Sequence, residues 1–314
     1  MMPDITEKTR IPHGGKQKKI AVINDISGFG RCAVTVALPI ISKLKVQCCP
    51  VPTSIFSNHT GYPSYYFDDY TDRMQPYIDQ WKNLRLSFDG IETGFLGSKK
   101  QIDIVSGFIR DFRSPDTVVV VDPIMGDHGK TYATYTQEMC REMKKLVTCA
   151  DIITPNLTEA CILTDTPYHE EKWKIKEIEQ LAERLSAMGP EKVVITGIPQ
   201  GEYIANYCFV KTEDSVPDDG KPEEKGAENQ EAKLHGHVGN GQLLRTMKVG
   251  TQRCGTGDIF AAIVTADAVN GVPFAVSVKK ASNFIKQCIL KSIEMEIPLT
   301  DGVCFEEILD TLKV

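Results

Sequence analysis

The segment Gly255-Thr256-Gly257-Asp258, followed by the apolar run Ile259 to Val264, sets two glycines and an acid at the start of a helix. Backbone N–H groups exposed there, with the positive end of the helix dipole behind them, form an anion site. Asp258 in a first turn would favour the dipole without any function. A carboxylate beside an anion cradle is repelled by that anion, however, so the combination points to a base set next to a phosphate.

Two further acids follow apolar runs. Asp122-Pro123-Ile124-Met125-Gly126-Asp127 comes directly after Val118 to Val121, and Thr154-Pro155-Asn156-Leu157-Thr158-Glu159 after Ile152-Ile153. Open α/β sheets bind ligands at the carboxyl ends of their strands. Ordinary turn chemistry accounts for Asp, Pro and Gly in the first segment. A capping box, with Asn156 or Thr154 at the helix start and Glu159 in the first turn, accounts for part of the second. Neither explains why Asp122 and Glu159 should converge on one sheet edge. Hard oxygen ligands of this kind suit Mg²⁺ carrying nucleotide phosphates.

Other patterns fail on spacing. Gly28-Phe29-Gly30-Arg31-Cys32-Ala33 resembles a dinucleotide fingerprint, but no acid stands between Asp25 and Asp68 to hold a ribose. What remains is a glycine-rich turn that a small ligand could approach closely, with Asp25 beside it. Gly126-Asp127-His128-Gly129-Lys130-Thr131 imitates a P-loop, yet position 124 is Ile124 where the first glycine belongs. Phe56-Ser57-Asn58-His59-Thr60-Gly61-Tyr62 is polar with two aromatics and suits a planar heteroaromatic molecule, although a capped loop would look the same. No Ser-His-Asp or Cys-His arrangement emerges from spacing.

These residues need elements to place them. Lys19 to Ile23, Val118 to Val121 and Lys192 to Ile195 are apolar, β-branched runs expected as buried parallel strands, with Val46 to Ser54 as the second strand. Ala33, Val36, Ala37, Ile40, Ile41 and Leu44 recur at helical spacing, as do Ile102 to Phe112 and Ile178 to Leu185, the last stopped by Gly189-Pro190. Strands alternating with helices predict an α/β domain. A polar tail over 1–17 precedes a single domain over 18–314. The exception is an acidic insertion at 212–233, expected as a disordered surface loop between two adjacent strands, Tyr203 to Val210 and Gln242 to Val249.

Charge is concentrated in that insertion. It carries eight acids and three lysines, so five of the six net negative charges lie there and the remainder is nearly neutral. With no basic stripe, a nucleic-acid partner is not expected. No apolar run is long enough for a membrane span and no secretory signal precedes Lys19, so a soluble, cytoplasmic protein is expected. The ten scattered cysteines contain no C-x-x-C and fit reduced thiols, with neither cysteines nor histidines at zinc spacing.

Taken together the chain resembles the pyridoxal kinase family of the ribokinase-like superfamily. The resemblance runs from about Lys19 to the helix after Asp258. It rests on Ser57-Asn58-His59-Thr60-Gly61-Tyr62, Asp122-Pro123 with Gly126-Asp127, Ala150 to Asn156 with Glu159, Met188-Gly189-Pro190 with Val193 to Thr196, and Gly255-Thr256-Gly257-Asp258. It implies a ribokinase-like three-layer α/β/α sandwich with a large, mostly parallel sheet, usually as a homodimer. The activity implied is ATP-dependent phosphorylation of the 5′-hydroxymethyl group of a vitamin B6 vitamer.

By residue, the resemblance makes Asp258 the base and Gly255, Thr256 and Gly257 the anion hole. Asp122 and Glu159 would position Mg²⁺ through water. Asp127, Asn156 and Thr196 would contact ATP, and Thr154 and Thr196 a monovalent cation such as K⁺. Thr60 would hold the pyridine ring with His59 close by. Asp25 stands where many members have Ser, and Phe95 follows Thr93-Gly94 where a Tyr is frequent, so both bear on the choice of vitamer. The turn Asn24 to Gly28 leans toward bacterial pyridoxamine or hydroxymethylpyrimidine kinases. The alternatives are therefore a hydroxymethylpyrimidine kinase on the same fold and, from another class, a nucleotide-binding regulatory protein without turnover.

Overall fold

The computed structural model describes residues 16–132, 135–211, 235–238 and 241–314. The chain opens with β1 (Lys19–Ser27), α1 (Val34–Lys43), β2 (Gln47–Phe56), β3 (Phe67–Asp69) and α2 (Thr71–Asn83). Next come β4 (Gly90–Thr93), α3 (Lys99–Phe112), β5 (Val118–Val121), the hairpin β6 (Gly126–Asp127) and β7 (Lys130–Thr131), and α4 (Gln137–Val147). β8 (Ile152–Ile153), α5 (Leu157–Leu163), α6 (Ile175–Ala187), β9 (Lys192–Gln200) and β10 (Tyr203–Val210) follow. β11 (His235–Val238), β12 (Gly241–Met247), α7 (Thr256–Asn270) and α8 (Phe274–Glu294) complete the regular elements.

Ten strands form one sheet in the order β11-β12-β10-β9-β8-β5-β4-β1-β2-β3. From β9 to β2 every neighbouring pair is parallel, and the strands at both edges are antiparallel. Alternation along β1 sends Ala21 and Ile23 into one apolar layer and Ile20 and Val22 into the other. The first layer is covered by α2 to α6, the second by α1, α7 and α8. α7 is apolar almost all round because it lies between the sheet and the two helices beside it. The α/β domain expected from the alternating pattern, and the three-layer sandwich that the resemblance implies, are therefore the architecture found.

β1 pairs with β2 on one side and β4 on the other, so the chain departs in both directions from it. That makes the carboxyl ends of β1 and β4 the switch point where a crevice opens in such sheets. The runs read as strands are β1, β5 and β9, with β1 extending to Ser27 and β9 to Gln200. The helical faces are those of α1, α3 and α6.

The Gly28 to Ala33 turn joins β1 to α1, which starts at Val34, and Gly30, Arg31 and Ala33 within it all have positive φ (105°, 47° and 54°). One expectation needs correction: the acidic segment does not connect two adjacent strands directly. The chain resumes as β11, which pairs on the far side of β12, and β12 in turn pairs with β10. A short edge strand with two histidines and a glycine gave no apolar run to read. The acidic insertion at 212–233 and residues 1–15 of the 1–17 tail lie outside the described residues.

The first layer owes much to one aromatic cluster. Phe108 is 1% exposed, and its ring centroid lies 4.4 Å from Phe112, 6.1 Å from Phe88 and 6.2 Å from Trp81. Phe108→Ala should lower the free energy of urea unfolding by about 3–5 kcal/mol, the usual cost of a buried aromatic truncation.

Candidate active site

α7 begins on Gly255, which adopts φ 86°, and a Cβ there would stand 2.1 Å from the Arg31 carbonyl oxygen. Only glycine permits that approach, which locks the start of α7 against the strained Gly30–Ala33 turn. Gly257 has the opposite surroundings: nothing lies within 4 Å of where its Cβ would be. The first turn of α7 thus presents backbone N–H groups to open space, with Asp258 at its side.

Asp258 is half-buried. Burial pushes its carboxyl up, while hydrogen bonds from the Ala33 backbone, the Asn24 side chain and its own backbone pull it back. Asn24 Nδ2 lies 3.4 Å from Asp258 Oδ1.

Asp122 leaves the end of β5 and accepts a hydrogen bond from Thr154 Oγ1, which leaves the end of β8, at 2.9 Å. Burial, and then the charge of Asp258, push Asp122 up to about 7 against the hydrogen bond from Thr154. Asn156 caps α5 by accepting from the Glu159 N–H (3.0 Å), and Glu159 Oε2 returns a bond by accepting from the Asn156 N–H (2.8 Å). Glu159 Oε1 accepts from the Met125 N–H at 3.1 Å. That last bond draws the Asp122–Met125 turn onto α5, the physical reason Asp122 and Glu159 converge. Glu159 is 4% exposed, and burial together with Asp122 raises it well above an ordinary glutamate.

Asp25 completes the group. It is 8% exposed, accepts from Ser27 Oγ at 2.8 Å, and is pushed up to about 7 by burial and by Asp258. Four carboxylates from β1, β5, α5 and α7 therefore meet at the carboxyl edge of the sheet. Among the described residues no three of them come together as a metal site; hard oxygens spaced in this way suit a divalent cation such as Mg²⁺ only when it is held through water.

Other expected residues sit around this centre. Asp127 accepts from Gln252 Nε2 (2.9 Å), which ties the β6–β7 hairpin to the loop before α7. Asn156 Nδ2 donates to the Gly126 carbonyl at 2.9 Å, and Asn156 and Thr196 pair as a parallel bridge. Phe95 stands at the mouth of β4, its ring edge-on to Phe56 at 6.3 Å. His59 is held by the protein itself. Its Nδ1 accepts from the Gly61 N–H at 3.0 Å, which leaves Nε2 to donate to the Thr300 carbonyl at 2.6 Å. Gly30 leaves room for that imidazole, since a Cβ there would be 2.2 Å from His59 Cδ2. The close approach expected of a ligand at the glycine-rich turn is made by His59. Thr60 follows on the exposed face of the same loop.

Sequence reasoning missed Asn24 and Glu92. Asn24 closes the apolar run of β1 at its carboxyl end, the same position that singled out Asp122 after β5. Glu92 lies within the four-residue β4, too short to be noticed. It is 3% exposed, its Oε2 has no hydrogen-bond partner among the described residues, and burial pushes it up to about 8.

The raised acids set a pH dependence. A native carboxyl with a raised pKa keeps a proton that the unfolded chain has released, so its stabilisation is full below the ordinary 3.8 and is lost as pH rises to about 7. The ligand-free protein should lose stability over that interval, and Asp122→Asn should flatten the loss in thermal unfolding measured across it.

The chain matches the family model described as phosphomethylpyrimidine kinase over residues 40–299. It is 35% identical to the pyridoxal kinase of Arabidopsis thaliana over 159 residues, 48% of this chain and 49% of that protein, so the alignment spans about half that relative's length. It is 28% identical to the pyridoxine/pyridoxal/pyridoxamine kinase of Bordetella avium over 273 residues, 83% of this chain and 81% of that one. Among solved structures, a Bacteroides thetaiotaomicron protein assigned to phosphomethylpyrimidine kinase, in a crystal form with pyridoxal, superposes with a TM-score of 0.82. It is 36% identical, with 94% of this chain and 96% of that chain covered.

Proposed function

The chain belongs to the family of pyridoxal and phosphomethylpyrimidine kinases in the ribokinase-like superfamily, and from that premise we propose that it transfers the γ-phosphoryl group of ATP to the 5′-hydroxymethyl group of a vitamin B6 vitamer. The observation that carries this reading is the meeting of Asp258 and the open first turn of α7 with Asp122 and Glu159 at one sheet edge. A binding protein without turnover would have no use for a carboxylate beside a phosphate cradle.

The 5′-oxygen bonds to the γ-phosphorus as the bond to the bridging oxygen breaks, and ADP leaves with that electron pair. The hydroxyl proton passes to the Asp258 carboxylate late in the step, since a loose transition state needs no free alkoxide. The backbone N–H groups of Gly255 to Gly257 face the charge on the transferring group. Bound Mg²⁺ supplies positive charge to the phosphates; Asp122 and Glu159 would hold it through water. Asp127, Asn156 and Thr196 line the nucleotide side, with Thr154 and Thr196 near a monovalent cation. Asp25, His59, Thr60 and Phe95 line the vitamer side. On family grounds the working unit is a cytoplasmic homodimer.

The family model's description and the Asn24–Gly28 turn favour hydroxymethylpyrimidine as a second substrate reading, with the same base. Steady-state rates on pyridoxal, pyridoxine, pyridoxamine and hydroxymethylpyrimidine separate the two. The highest kcat/KM is expected with a B6 vitamer, and a preference for hydroxymethylpyrimidine would move the assignment.

Asp258→Asn should leave folding and ATP binding intact and lower kcat by roughly 10²–10⁴, the range for a lost general base. Phe95→Tyr adds a hydroxyl at the mouth of the vitamer side. It should shift relative kcat/KM among the four alcohols and leave ATP affinity unchanged, as read by titration.

A further inference from the structure

Asn24 is 4% exposed, and every polar atom of its side chain has a partner. Its Oδ1 accepts from two backbone N–H groups, that of Asp25 at 2.9 Å and that of Phe95 at 2.8 Å. With the oxygen held by two donors, the amide orientation follows, and Nδ2 is turned to Asp258 Oδ1 at 3.4 Å. Room for this crossing from β1 to β4 exists because residue 94 is glycine. A Cβ on Gly94 would stand 2.3 Å from Asn24 Nδ2.

We propose that Asn24 is the positioning residue for Asp258, fixing the base against the mouth of β4, where Phe95 borders the vitamer side. The proposal rests on Asp258 being the base. One amide connects the backbone of β1, the backbone that carries Phe95 beyond β4, and the carboxylate on α7. The donor end faces one oxygen of Asp258 and acts with the Ala33 and Asp258 backbone N–H groups to orient the carboxylate toward a hydroxyl. Asn24 never reaches the reacting atoms and acts through Asp258 alone.

Asn24→Asp separates this role from folding. It keeps an oxygen acceptor for the Asp25 and Phe95 N–H groups, and it removes the donor facing Asp258. Asn24→Ala removes both ends and serves as the second variant, with thermal unfolding recorded for each. In the wild-type background Asn24→Asp should lower kcat by roughly 10- to 100-fold, the worth of a hydrogen bond to a charged group, with the KM for ATP within about twofold. In the Asp258→Asn background the same substitution should change kcat by less than about twofold, because strongly coupled residues are not additive.

The outcomes are distinct. If Asp258→Asn alone turns over within a few-fold of wild type, the base is misassigned and the family reading of the site fails first. If Asp258→Asn is crippled and Asn24→Asp lowers kcat by the same factor in both backgrounds, Asn24 acts independently of Asp258 and the proposal is overturned. An unchanged kcat for a folded Asn24→Asp protein overturns it as well.

Discussion

Mutual repulsion among carboxylates governs this structure. Asp25, Asp122, Glu159 and Asp258 are gathered at one edge of the sheet from four separate elements, with Glu92 beneath them in β4. Burial pushes each one upward, like charge adds to it at Asp25, Glu92, Asp122 and Glu159, and a chain under no functional demand would disperse them. The arrangement survives because every acid is held by bonds that do not depend on its neighbours. Glu159 is fixed by two backbone N–H groups, Asp122 by Thr154, Asp25 by Ser27 and Asp258 by Asn24. What the raised carboxyls hold in the ligand-free protein is protons, and a bound divalent cation would displace them.

On the proposed reading, the anion side of the site is made by backbone rather than by side chains. Arg31, in the turn beside α7, is committed to Glu306 at 2.8 Å and to the Asp301 carbonyl at 3.0 Å. Arg253, before α7, donates to the carbonyls of Ile297 and Pro298 and is 8% exposed. Both guanidinium groups fasten the segment around residue 300 to the core, which leaves the N-terminal turn of α7 to face an anion. His59 joins the same segment through Thr300.

Where the sequence spoke clearly, a single local pattern carried the message. Buried parallel strands must be apolar on both faces, so Val118 to Val121 could be recognised without context, and the acid that follows it stood out by position. Gly255 and Gly257 announced a helix start facing an anion. Asn24 and Glu92 were silent because their meaning is tertiary. An asparagine ending a strand is ordinary until Phe95 and Asp258 are seen on either side of it. The conformation of the Gly28 to Ala33 turn was silent for a related reason: its positive φ angles go with packing against Gly255, far along the chain. His59 looked like a polar loop residue open to a ligand, yet its ring nitrogens answer backbone groups at Gly61 and Thr300. Periodicity reports which face is buried and says nothing about which distant loop will meet a side chain.

The separation between Asn24 and Asp258 is 234 positions. A ribosome adds roughly 5–20 residues per second, so tens of seconds pass between the emergence of one and of the other. Through that interval β1, β2, β4 and β5 can pair and bury their first layer of helices, while the face awaiting α7 is covered by α1 alone. If the Gly255–Asp258 turn is the phosphate cradle proposed above, no shorter nascent chain has one, and nucleotide would not assist early folding. The apolar surface of Ile20, Val22 and Val120 remains for that time a place for chaperone capture or for faulty association. α7 both covers the centre of the sheet and carries Asp258, so on the proposed reading activity cannot be acquired before that layer of the core is closed.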